Sequence, residues 1–358
     1  MRKRNEPVWL CALLPLTALL AAEPGPPAGK SPDQDLPPHI TRLTLFGERA
    51  DFAHDGKRLL FLSKTFGDVF EIDLAGRALR LLTGHYPHHG YTRALYLANG
   101  DVLLSGPERF DPKNPGPSRV QCYLYVLDKS LTKPPVPLGT KCSEGPAVSR
   151  RWLHIAWTHV SAQYPDRLPK GASQMHEADI VYEKGTPRLA GTRLVLDSRD
   201  LPFRCTLETQ NFRPPDEKEL TFSAYGYQGT EVCGVDLRTK KVTNYSNYPG
   251  QYDEPEGVFP DGKSTCVESD RDNGMGKRGH QYVDIWRLAL DGSGRMERLT
   301  YFNRHPGFKS SNPVVSDDGR YMAFQMAKVG DPAGVGRGIF LYDFAKAPKA
   351  PARAPTSR

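Results

Sequence analysis

Beyond residue 22 the chain lacks any apolar run long enough to cross a bilayer as a helix. Cysteine is scarce, with six in 358 residues, and no pair has the close spacing of a zinc site. There is no Gly-x-Ser-x-Gly elbow, no His-Glu-x-x-His helix and no phosphate-binding glycine loop. Serine-hydrolase, zincin and P-loop chemistries are thereby excluded. The body also lacks an excess of one charge. Of the formal net charge of +7, residues 1–22 carry +2 and residues 346–358 carry +4, which leaves +1 between them. A body that is nearly neutral argues against nucleic acid as the partner, because phosphate binding needs a clustered cationic face.

Turn formers and a moderate apolar content are present. The 33 glycines, 32 prolines and 38% apolar residues favour many short strands over long helices. The N-terminus has the form of an export signal. Arg2, Lys3 and Arg4 precede the apolar run Val8 to Ala22, and Ala21 and Ala22 offer a cleavage site. The expectation is a signal peptide over 1–22, with a periplasmic or secreted product and no transmembrane span after cleavage; the alternative is an uncleaved anchor. Residues 23–38 read as a Pro/Gly-rich linker and 346–358 as a disordered basic tail. The propeller body is expected over 39–345. Without the signal, Cys122, Cys142, Cys205, Cys233 and Cys266 remain. Oxidation allows one or two disulfides and leaves an odd thiol free. Cys233 and Cys266 lie in predicted strands and are expected to be buried and free.

The body repeats. Pro260-Asp261-Gly262-Lys263, Ser316-Asp317-Asp318-Gly319-Arg320, Ala53-His54-Asp55-Gly56-Lys57 and Ala98-Asn99-Gly100-Asp101 each precede an apolar strand. Asp-Gly and Asn-Gly supply the positive φ of a tight turn. Two further copies have lost the glycine, at Val148-Ser149-Arg150-Arg151 and Arg213-Pro214-Pro215-Asp216. After each copy an apolar strand ends in an acidic residue, as at Asp73, Asp128, Glu183, Asp236, Asp291 and Asp343. An outer strand follows the first five, as in Arg298-Leu299-Thr300. Six such units predict an all-β, six-bladed propeller of four-stranded antiparallel blades. The sixth unit stops at Asp343 without an outer strand. Thr41-Arg42-Leu43-Thr44 echoes Arg298-Leu299-Thr300, so this N-terminal strand is expected to complete the last blade and close the ring.

These motifs resemble the TolB-like (WD40-like, PD40) propeller repeat. The fifth unit matches it closely, through Pro260-Asp261-Gly262-Lys263, Ser269-Asp270-Arg271, Leu290-Asp291-Gly292 and Arg298-Leu299-Thr300. The resemblance implies a fold and leaves the activity open, since propellers host many. TolB itself carries an α/β domain ahead of its propeller, whereas this chain has only the linker there.

Propeller ligands usually meet the loops between blades and those joining second to third strands. Seven of the ten histidines fall in such predicted loops: His85, His88, His89, His159, His176, His280 and His305. The candidate ligand-binding residues cluster in units five and six. Glu254 and Glu256 precede an innermost strand, where one or both face the channel. Asp270, Arg271 and His280 lie on a neighbouring loop, although Asp270 and Arg271 equally suit a structural pair within the repeat. His305, Lys309 and Asn312 approach from the next junction. Tyrosines such as Tyr225 and Tyr252 crowd the same loops and suit saccharide or peptide recognition. His176, His280 and His305 are the candidate ligands for a divalent metal ion. Gln174-Met175-His176 and His280-Gln281 loosely resemble the manganese ligands of oligogalacturonate lyases, a TolB-like propeller family. The spacing departs from that family's motif, and no catalytic residue carries over.

The first expectation is a monomeric binding or scaffold propeller for an envelope protein, peptide or glycan. The alternative is a metal-assisted carbohydrate-active enzyme acting on the histidine-rich face.

Overall fold

A computed structural model describes residues 29–142, 145–331 and 334–348. The expected signal peptide lies outside the described residues, as do 23–28 of the linker and 349–358 of the tail. No described helix is long and apolar enough to cross a membrane.

The described strands pair almost entirely antiparallel, in sequential order. Strands β2 (Glu48–Phe52), β3 (Arg58–Leu62), β4 (Val69–Asp73) and β5 (Leu79–Leu81) form one four-stranded sheet. A second holds β6 (Arg93–Tyr96), β7 (Val102–Pro107), β8 (Cys122–Leu127) and β9 (Val136–Lys141). A third holds β10 (Ala147–Val148), β11 (His154–Val160), β12 (Ser173–Glu183) and β13 (Thr186–Asp197). Two more quartets follow. They are β14 (Thr206–Phe212), β15 (Glu219–Tyr225), β16 (Gly229–Asp236) and β17 (Val242–Asn244), then β18 (Gln251–Val258), β19 (Ser264–Ser269), β20 (Asp284–Ala289) and β21 (Met296–Arg298). A short parallel contact, Gly229 to Gln251 and Thr230 to Tyr252, joins these two quartets into one sheet of eight strands. The last sheet contains β22 (Phe308–Val315), β23 (Tyr321–Lys328), β24 (Ile339–Asp343) and the N-terminal β1 (Ile40–Arg42). The arrangement is a β-propeller.

The turn motifs act through the same bonds at each recurrence. In four first-to-second-strand turns the glycine N–H donates back to a carbonyl three residues earlier, at 2.8 Å each (Gly56, Gly100, Gly262, Gly319). The side chain just before the glycine, an Asp or Asn, accepts the N–H just after it, as Asp261 does from Lys263 at 3.0 Å. In the third unit Ser149 replaces the acid, and its hydroxyl accepts from Arg151 and Trp152 at 3.0 and 2.8 Å.

The Arg-Leu-Thr signature has an equally local cause. Thr300 Oγ1 accepts the Ile285 N–H at 2.9 Å, and the Arg298 guanidinium donates to the Thr300 carbonyl at 2.8 Å. Thr44 and Arg42 repeat both contacts. Thr44 Oγ1 accepts the Ile339 N–H at 2.9 Å, and Arg42 donates to the Thr44 carbonyl at 3.0 Å. β1 pairs with β24 from Ile40 opposite Tyr342 to Arg42 opposite Phe340. The N-terminal segment is therefore the outer strand of the C-terminal sheet, one residue earlier than the sequence echo suggests. Ahead of it, Pro32–Gln34 form one 3-10 turn, Asp33 pairs with Arg42, and Leu36 packs on the core.

The cores lie between adjacent sheets. Phe302, Phe324 and Phe340 meet at centroid distances of 5.4–5.5 Å beside Met322 and Cys266. Such aromatic pairs contribute about 0.5–1.5 kcal/mol beyond their area burial. All five cysteines beyond the signal are free thiols, four of them buried, Cys233 and Cys266 included. Burial pushes the Cys205 thiol up to about 11 and Cys266 up to about 12, which makes both poor nucleophiles.

Several predicted loops are in fact strand. His159 closes β11 and His176 lies within β12, where a loop over 159–178 was expected. Glu254 and Glu256 lie inside β18 rather than ahead of it. At Glu254 and Glu256 the innermost strand β18 carries acidic side chains into the channel, so this stretch lacks the apolar alternation by which strands are read.

Candidate functional site

Innermost strands β2, β6, β10, β14, β18 and β22 surround a channel holding two cavities. One, of about 530 Å3, opens among the Asp-Gly turns and has a largely apolar wall that includes Val148, Phe212, Val258 and Val315. The other, of about 240 Å3, opens among the longer loops and is polar. Arg93, Glu256 and Asn312 line both and mark the waist between them.

The apolar cavity is crossed by one side chain. Arg150 follows β10, and its guanidinium reaches Asp317 at 2.7 Å, the Phe52 carbonyl at 2.9 Å and Asp51 at 3.4 Å. Its backbone N–H donates to Glu217 at 3.0 Å. Burial raises the Asp51 carboxyl, and Arg150 opposes that rise.

The polar cavity concentrates ionisable groups. Glu254 is the best-supplied acceptor. The hydroxyls of Tyr225 and Tyr252 both donate to it, and Gln210 donates at 3.3 Å. Both phenols are buried, which holds their ionisation well above the ordinary range. Glu256 accepts from the Asn312 amide at 3.0 Å and lies 3.6 Å from the Arg93 guanidinium. Glu268, one strand out on β19, accepts the Asn312 backbone N–H at 2.6 Å. Asn312 can serve both because β22 bulges between Ser311 and Val314, where its φ is +48°. Glu208 on β14 is half-buried and lies outside the residues that line the cavity. Burial, then Glu254, pushes the Glu208 carboxyl up to about 7. Burial, then Glu254 and Glu256, pushes Glu268 up to about 8. Burial also raises Glu256, against the pull of Arg93.

Cations come from three further elements. Arg49 lies on β2, and Arg93 on β6. Arg119 comes from α1 (Pro115–Val120), a short helix inserted between β7 and β8. All three line the polar cavity. Burial, then Arg49, pushes Arg119 down to about 10, with Arg93 adding to the same effect. Lys309 on β22 donates to the His280 carbonyl at 2.7 Å. Burial, then Lys309, lowers His280, which favours the neutral imidazole.

Five of the eight candidate ligand-binding residues thus meet at one cavity: Glu254, Glu256, His280, Lys309 and Asn312. The other three have different partners. Asp270 is buried and accepts the backbone N–H groups of Tyr252 and Gly279 at 3.0 and 2.7 Å. Arg271 pairs with Asp253 at 2.5 Å and lies over the Tyr248 ring at 4.3 Å. Both secure the repeat, and they do not pair with each other. His305 reaches the Lys30 carbonyl at 2.9 Å, outside the cavity. The metal candidates His176, His280 and His305 lie on three separate elements. His176 stacks on Trp157 and packs on His159 at centroid distances of 5.9 and 4.5 Å. Among the described residues no group of three or more His, Cys, Asp or Glu side chains is placed to hold a metal ion.

Arg49, Arg93, Arg119 and Glu268 line the cavity without having been singled out in the sequence. Charged residues inside otherwise buried runs, such as Glu268 after Cys266-Val267, were the available signal. Arg119 had none, because its position depends on how the insertion folds back over the channel.

No family model matches the chain, and no curated protein matches it. Solved structures do. The chain is similar to TolB from Acinetobacter baumannii at 17% identity and TM-score 0.46, covering 84% of this chain and 65% of that one. An oligogalacturonate lyase from Vibrio parahaemolyticus gives 13% and 0.48, with 83% and 80% covered. The calcium-binding protein regucalcin from Agrobacterium tumefaciens gives 12% and 0.45, with 84% and 90% covered. Each of these scores is below 0.5, so the propeller assignment rests on the strand pairing within the chain itself. In strand arrangement the chain is a β-propeller, and its repeat motif resembles the TolB-like one.

Proposed function

We propose that this chain is an exported, monomeric binding module of the cell envelope, which takes a peptide, protein or glycan group into the polar cavity on its loop face. The carrying observation is Glu254. Three donors hold it in one orientation on a channel wall, and such preorganisation lowers the ordering cost of binding. We count six blades in this reading. The eight-stranded sheet divides into β14–β17 and β18–β21, because only a two-residue parallel contact joins them.

Mixed charge and phenol hydroxyls around about 240 Å3 suit a small polar group better than a long apolar one. A binding screen over acidic glycans, neutral glycans, peptides and envelope proteins tests the reading. Wild type should retain at least one class, and E254Q should lose it about tenfold or more while melting within a few degrees of wild type. A ligand held equally by E254Q would place the binding surface elsewhere and sink the proposal. Metal analysis of the purified protein addresses the alternative enzyme, which requires a stoichiometric divalent ion.

A further inference from the structure

The polar cavity gathers like charges that ordinary packing would keep apart. Arg49, Arg93 and Arg119 arrive from two innermost strands and an inserted helix, and all reach one small space. Arg49 donates to the Thr92 carbonyl at 3.1 Å, and Arg93 lies 3.6 Å from Glu256. Burial, then Arg49, lowers the proton affinity of Arg119, with Arg93 adding to the effect and Glu48 and Glu208 opposing it. Convergent guanidiniums in a partly desolvated site are the usual means of gripping a planar carboxylate.

The carboxylates of the same lining already have partners. Glu254 is occupied by two hydroxyls and an amide, and Glu256 by Asn312 and Arg93. Glu268 faces Glu254 and Glu256 on β18, and Lys309 and Asn312 on β22. Burial, then Glu254 and Glu256, favours the protonated form of Glu268 near neutral pH. Protonation removes negative charge from a lining that keeps the three arginines and Lys309, with Glu48 3.8 Å from Arg49. The space, about 240 Å3, is smaller than a drug-sized site of ~300–1,000 Å3. A ligand of sugar-acid or amino-acid size fits that limit.

We propose that this cavity binds a small organic carboxylate among Arg49, Arg93 and Arg119, and that the anion enters together with a proton held at Glu268 on the cavity lining. The inference rests on the binding-module reading and specifies its ligand class. Glu268 lines the same cavity, so an incoming anion strengthens its hold on a proton. By linkage, the same proton strengthens the hold on the anion. Affinity therefore rises as pH falls from about 8 to about 6.

The test is calorimetric titration of the full chain with acetate, malate and glucuronate, and with glucose as the neutral control. Each is run at pH 6 and pH 8, in two buffers of different ionisation heat. At least one carboxylate should bind, about tenfold more tightly at pH 6, with net proton uptake and no glucose binding. R119Q should weaken binding at least tenfold, R119K should recover part of the loss, and E268Q should flatten the pH dependence. Melting curves confirm that each variant is folded. Failure of all three carboxylates to bind wild type, or equal binding by R119Q, or binding without proton uptake, overturns the inference. If neutral glycans or peptides still bind in an E254-dependent way, the binding-module reading survives that failure. If nothing binds at the cavity, both fall.

Discussion

Gly262 is the residue where the repeat tolerates least change. Its φ is +66°, and a Cβ there would lie 1.9 Å from the Pro214 carbonyl oxygen of the neighbouring sheet. Gly292, with φ +78°, has nothing within 4 Å of the same position. A left-handed conformation alone costs an L-residue about 1–2 kcal/mol. Gly292→Ala should therefore cost about 1 kcal/mol. Gly262→Ala should cost about 3 kcal/mol or more, because backbone must move as well. Urea denaturation of the two variants decides this, and equal losses would mean that the sheets move apart freely. The turn chemistry was legible in sequence for the same reason that it is rigid: Asp-Gly states a backbone geometry without reference to distant residues. Arg271 was not legible in this way. Its partner Asp253 is 18 positions earlier on a neighbouring strand, and only the register of β18 on β19 brings them together.

At the level of elements, the third sheet contains a charge-sensitive layer. His159 on β11 packs against His176 on β12 and accepts from Trp157 at 2.8 Å. Burial, then His176 and Arg167, pushes His159 down to about 3 from an ordinary 6.5. Its folded-state proton affinity is therefore below that of the unfolded chain. Stability from neutral His159 is complete above pH 6.5 and is lost as pH falls toward 3. H159Q should melt about 2–4 °C closer to wild type at pH 5 than at pH 8. A constant gap across that range would show that the imidazole stays uncharged without cost. The strands of this sheet also mark where sequence reading weakened. Its turn lacks Gly, and its polar residues look like loop residues. Only the pairing of His154–Val160 with Ser173–Asp179 makes them strand. The candidate site was half legible by the same logic. Residues grouped along one stretch, such as Glu254 and Glu256, could be found, whereas a guanidinium delivered by an insertion could not.

Across the whole molecule, closure depends on a short N-terminal strand. Ile40 is buried in the last core, Leu43 packs on the neighbouring one, and Thr44 accepts the Ile339 N–H. Each buried aliphatic side chain contributes about 1.5–3 kcal/mol. Deleting residues 39–46 should destabilise the protein by about 3 kcal/mol or more and speed hydrogen exchange first in Ile339–Asp343. Unchanged exchange in that strand would mean that the ring closes by other contacts. Stacked repeats otherwise speak only to their neighbours, so that stability is a sum of local terms. Arg150 departs from that rule. One side chain from the third sheet holds the first and the last, and its own amide holds the fourth. It acts as a spoke rather than as part of the rim: a load that would peel one sheet away is shared with sheets on the far side, and the ring is braced to yield as a unit.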